Sequence, residues 1–93
     1  MSDPILDAAR SWLARAETRA RHHDFSRALE YAASGIDEIG DRYRGSGVLD
    51  DTEPRKWKAE RRAADGHVAD GAHALVEVLA KRIRLYALKS PTP

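Results

Sequence analysis

Ninety-three residues with 16 Lys and Arg against 15 Asp and Glu leave a formal charge of +1, so no bulk attraction to nucleic acid or to an anionic membrane follows from charge. Cysteine is absent, which excludes disulfide frameworks, zinc–cysteine sites and thiol nucleophiles. A chain this short supports one small core, with a single helical domain expected over residues 1–89 and a flexible tail at 90–93. The amino end has no basic-then-apolar leader pattern and no apolar run nears the roughly 20 residues that span a bilayer, so a cytoplasmic protein without membrane contact is expected.

Sixteen alanines and twelve arginines, with few β-branched residues and no apolar–polar alternation, predict an all-α fold. A first helix is expected over 3–21. Asp3 can cap its free amides, Pro4 suits its first position, and Ile5, Ala9, Trp12, Leu13, Ala16 and Ala20 recur three or four apart as one apolar stripe. Arg21-His22-His23-Asp24 ends it, and Asp24 can also cap a second helix over 24–42. That helix's stripe runs Phe25, Ala28, Leu29, Ala32, Ile36, Ile39 and Tyr43, fading at Gly40. So short a joint folds the two helices back as an antiparallel hairpin.

Arg44-Gly45-Ser46-Gly47 reads as a loop, pinned to the core by Val48-Leu49. Asp50-Asp51-Thr52-Glu53-Pro54 supplies capping oxygens, first-turn acids and a proline to start a third helix over 53–65. Gly66 within Asp65-Gly66-His67 can act as a carboxyl-end cap, so a break is expected there. A fourth helix over 67–89 then carries the longest stripe, Val68, Ala72, Leu75, Val76, Leu79, Ile83 and Tyr86, and should be the most buried. Lys81, Arg82, Arg84 and Lys89 near its end suit the helix dipole. The predicted architecture is four helices in two antiparallel hairpins; the alternative has three helices, the third unbroken from 53 to 89.

Sliding the chain on itself by 43 residues puts Ala16 on Ala59, Ala20 on Ala63, Phe25 on Val68, Ala28 on Gly71, Ile36 on Leu79 and Tyr43 on Tyr86. Small residues meet small and large meet large, as two versions of one helical hairpin would. Trp12, Ala16, Asp24-Phe25, Ala28-Leu29 and Tyr31, with Ala59, Gly66, Val68, Gly71 and Leu75 in the second copy, resemble the spacing of a tetratricopeptide repeat. The resemblance implies tetratricopeptide-like stacking over residues 8–86; a plain four-helix bundle is the other packing. Arg15, Arg19, Ala32 and Gly40 depart from the residues that family prefers, and the offset exceeds its period of about 34.

Chemistry for catalysis is sparse, and neither an enzyme nor a cofactor is expected. His22, His23 and Asp24 at one hairpin tip, with Asp65 and His67 at the other, have ligand chemistry but match no zinc or calcium spacing, so no metal is expected. His73 and Glu77, one turn apart, read as an exposed pair. Arg55, Lys56, Lys58, Arg61 and Arg62 surround Trp57, but Asp50, Asp51, Glu53 and Glu60 adjoin them. A solvated, salt-bridged face follows, with neither nucleic acid nor a small-molecule ligand expected as partner. Arg62 and His67, four residues between them, resemble the Arg-to-His signature of the HEPN ribonucleases, small all-helical proteins of toxin–antitoxin systems. That resemblance implies Arg62 as phosphate-binding cation and His67 as acid–base group, with Ala63 where the family carries a polar residue.

Two hairpins are fewer than the three or so repeats a solenoid needs, so apolar surface is left to cover. The function expected is a non-enzymatic protein–protein interaction module or subunit, self-associating as a homodimer, with Trp57, Tyr43, Tyr86 and Trp12 as contact candidates. The alternative is a HEPN-like RNA-cleaving or RNA-binding protein acting through Arg62 and His67.

Overall fold

A computed structural model describes residues 3–40 and 52–89, and these form α1 Pro4–Arg21, α2 Phe25–Gly40, α3 Glu53–Ala64 and α4 Val68–Lys89. The unbroken third helix is set aside, because the chain turns between Ala64 and Val68. Tyr43, the Gly45-Ser46-Gly47 loop, the last two residues expected in the second helix and the tail at 90–93 lie outside the described residues.

Local chemistry accounts for the helix ends. Asp3 Oδ1 accepts the Ile5 and Leu6 amides at 2.9 and 3.4 Å, closing the amino end of α1 ahead of Pro4. Both hairpin turns end their first helix in the same hydrogen-bond pattern. At the first, the His23 amide donates to the Ala20 carbonyl at 3.0 Å and the Asp24 amide to the Arg19 carbonyl at 2.9 Å. Forty-three residues on, the Gly66 amide donates to Ala63 at 3.2 Å and the His67 amide to Arg62 at 2.9 Å. Each is a Schellman closure, whose penultimate residue must be left-handed. Gly66 takes φ 99° there, and at the matching position His23 takes φ 60°.

Thr52 corrects one expectation. It precedes α3, but its hydroxyl bonds none of that helix's amides; it accepts the Arg82 Nε–H at 2.9 Å. Arg82 is itself a correction, since it sits in the core at 1% exposure rather than at a wet helix end, with Nη2 2.6 Å from Glu53 Oε1. A buried guanidinium is tolerated only when paired and hydrogen-bonded, and here both conditions hold.

The fourth helix is the hub, as its stripe predicts: α4 packs against α1, α2 and α3, whereas α3 touches α4 alone among the helices. Ala9, Ala16, Ala32, Ile36 and Ile39 of the first hairpin close on Leu75, Leu79, Ile83 and Tyr86 of α4. At the amino end Leu6 is the fully inward residue, while Ile5 only packs against the core's edge. Small residues set the two closest crossings. A Cβ on Gly35 would lie 2.6 Å from Leu79 Cδ2 and 3.0 Å from Trp12 Cβ, where α1, α2 and α4 meet. A Cβ on Gly71 would lie 2.7 Å from the Ala59 carbonyl oxygen and 2.8 Å from Ala63 Cβ, so α3 and α4 approach almost backbone to backbone.

The 43-residue pattern persists in the burial. Ala16 and Ala59, Ala28 and Gly71, Ala32 and Leu75, and Ile36 and Leu79 are buried at matching positions. Where the first hairpin buries the apolar Ala9 and Ile39, the second buries Thr52 and Arg82 and joins them by a hydrogen bond.

Candidate functional site

The third helix is where the molecule offers chemistry to solvent. Ala59 and Ala63 turn its inner side to Gly71 of α4. With about 3.6 residues per turn, Trp57 falls on the opposite side, and it is 63% exposed. The Lys56 ammonium lies 3.7 Å from the Glu60 carboxylate on the same helix, a solvated pair of the kind the sequence suggests. The other basic residues behave differently.

Arg55, Lys58 and Arg62, spaced three and four apart, project from one flank of α3 into a cleft of about 300 Å³ between α3 and α4. Lys81 reaches the same cleft from α4, and the floor and ends are Thr52, Ala59, Ala74 and Val78. Glu77 is the one carboxylate among the lining residues. None of the four cations has an ion-pair or hydrogen-bond partner among the described residues, because Glu53 is held by Arg82 and Glu60 by Lys56. Of the four acids that adjoin the basic patch in sequence, Glu60 pairs with Lys56 of the patch itself and Glu53 with Arg82 of α4, while Asp50 and Asp51 lie outside the described residues. The spacing of Arg55, Lys58 and Arg62 carried the signal for one shared flank, whereas Lys81 and Glu77 come from another helix and left none.

The remaining candidates are dispersed. Tyr86 is buried at 6% exposure and its hydroxyl donates to Asp3 Oδ2 at 2.7 Å, so its ring belongs to the core and not to an outer surface. Trp12 is half-buried against the core, its ring 5.7 Å from Tyr31 with the Arg15 guanidinium 5.2 Å above it. Arg62 and His67 are both exposed, and the described bond between them is the backbone one that closes the turn. That bond accounts for the spacing of the pair, since Arg19 and Asp24 stand in the same relation in the first turn.

His23 stacks on Phe25 at 5.6 Å and Phe25 meets His73 edge-on at 5.4 Å, so two of the four histidines are engaged in one aromatic row linking the first turn to α4. Among the described residues no three His, Asp or Glu side chains gather in a metal-holding arrangement, and no helix is long and apolar enough to cross a membrane.

Fold and site together define an all-α chain of two helical hairpins with a basic interhelical cleft and an exposed tryptophan. Against protein-family models, curated proteins and solved structures, the chain finds no match.

Proposed function

We propose that this protein is a non-enzymatic helical interaction module that pairs with a second copy of itself through the outer face of α3. The observation that carries the reading is Trp57, a large amphipathic ring left 63% exposed on the side of α3 turned away from its single helical neighbour. Tryptophan concentrates binding energy at protein interfaces, and its exposure on a lone outer helix places a ready anchor beyond the core. Arg61 shares that outer side, and the Lys56–Glu60 pair gives it a polar rim. Closed two-fold dimers are the commonest assembly of such chains, and one helix face meeting its own copy across the axis is a simple form of such an interface.

Sedimentation equilibrium of the full chain over a wide concentration range tests this directly. A concentration-dependent dimer is expected, with Trp57 emission shifting to the blue on association and Trp57→Lys abolishing the dimer while the helical circular dichroism is kept. A species that stays monomeric at millimolar concentration, or a dimer indifferent to Trp57→Lys, overturns the proposal.

A further inference from the structure

We propose that the cleft between α3 and α4 binds a compact small-molecule polyphosphate, an anion with two or three phosphate groups, held by Arg55, Lys58, Arg62 and Lys81. The first ground is electrostatic. Four cations face one carboxylate, Glu77, across about 300 Å³, and none of the four is neutralised by a described side chain. Like charges brought together on two packed helices repel, and an anion seated between them converts that repulsion into charge-assisted hydrogen bonds.

The second ground is the comparison the molecule makes with itself. Moved back by 43 residues, Arg55, Lys58, Arg62 and Ala74 become Trp12, Arg15, Arg19 and Tyr31. In the first hairpin the Trp12 and Tyr31 rings stand 5.7 Å apart between the helices, Arg15 lies over Trp12, and Arg19 reaches Asp24 at 3.9 Å. The depression left there is lined by α1 residues and by Tyr31 alone from α2. In the second hairpin a cation replaces one ring and a methyl group the other. The cleft there is lined from both helices and more enclosed, and its cations have no aromatic or acidic partner among the described residues.

Guanidinium forks bind carboxylate and phosphate alike, and charge density favours phosphate. Two guanidinium forks match the paired oxygens of phosphate groups, and the two ammonium groups add point charge. Matching the excess of three positive charges among the described lining residues within so small a space takes the charge density of linked phosphates. Single-stranded nucleic acid is disfavoured, since grooves that track it carry aromatic platforms for the bases, and Trp57 lies on the other side of α3.

The full chain is titrated with orthophosphate, pyrophosphate and tripolyphosphate at constant ionic strength, followed by calorimetry and backbone amide shifts. Saturable binding is expected, tightest for tripolyphosphate, with shifts confined to residues 52–62 and 74–81. Arg55→Gln with Arg62→Gln should weaken it by at least about tenfold, the scale of losing charged hydrogen bonds. These side chains are exposed, and matching circular dichroism melts would confirm an intact fold. Ala74→Tyr should weaken binding with all four cations retained, and Arg15→Gln with Arg19→Gln should leave it unchanged. The proposal is overturned if no saturation occurs, if the R55Q/R62Q variant binds equally well, or if both hairpins shift alike. It is also overturned if a single-stranded oligonucleotide or an acidic peptide binds more tightly than tripolyphosphate.

Discussion

Arg82 Nε–H donates to Thr52 Oγ1 across 2.9 Å of protein interior, tying α4 to the start of α3 at the layer where the first hairpin packs Ala9 and Ile39. Removing the guanidinium leaves the Thr52 hydroxyl without this donor and opens a gap, so Arg82→Ala should cost about 3–5 kcal/mol. Arg82→Met, which keeps most of the volume, should cost less. Thr52→Ala with Arg82→Ile imports the apolar pair of the first hairpin and should be more stable than Arg82→Ala alone in urea unfolding. A double variant less stable than that single one would show that the two hairpins are not interchangeable at this layer.

The two closest crossings predict unequal costs for the same substitution. Gly71→Ala drives a methyl into the Ala59 carbonyl and the Ala63 backbone, which cannot yield without moving α3, and roughly 1–3 kcal/mol should be lost. At Gly35 the closest contact, 2.6 Å, is to the tip of the Leu79 side chain, which can shift, with Trp12 Cβ at 3.0 Å a rigid neighbour, and the higher helix propensity of alanine offsets part of the clash. Thermal melts should therefore rank Gly71→Ala below Gly35→Ala.

His23 and Gly66 hold one backbone conformation with different residues. A left-handed φ strains a β-carbon, so Gly66→Ala should destabilise by about 1 kcal/mol. His23→Gly should stabilise by about 0.5 kcal/mol, the backbone relief being reduced by loss of the stacking on Phe25. A melt in which His23→Gly falls below the parent would mean that the His23–Phe25–His73 row outweighs the backbone strain.

Asp3 serves two helices at once, capping α1 with Oδ1 and accepting the Tyr86 hydroxyl with Oδ2. Tyr86→Phe removes the bond to Asp3 and should cost about 1–2 kcal/mol, and Asp3→Ala removes the cap as well and should cost more. Their effects should be strongly non-additive in a double-mutant cycle, because the same carboxylate is lost.

Sequence determined what depends on near neighbours. The capping carboxylate of Asp3, the turn at Gly66, the four helix spans and the buried stripe of α4 all follow from dihedral preference and the 3.6-residue period, which act within a few residues. The 43-residue shift showed small residues matching small ones between the two hairpins, but that Ala59 and Ala63 face Gly71 came from the fold. Tertiary structure decided what depends on which face meets which. Arg82 looks like any cation at a helix end until α3 brings Thr52 and Glu53 to it. Tyr86 looks like a contact residue until Asp3, at the far end of the chain, takes its hydroxyl. Whether a basic residue is cancelled or left facing a cleft is likewise a matter of distance in space. The Coulomb interaction falls with separation through the fold, and neighbours along the chain project to different sides of a helix.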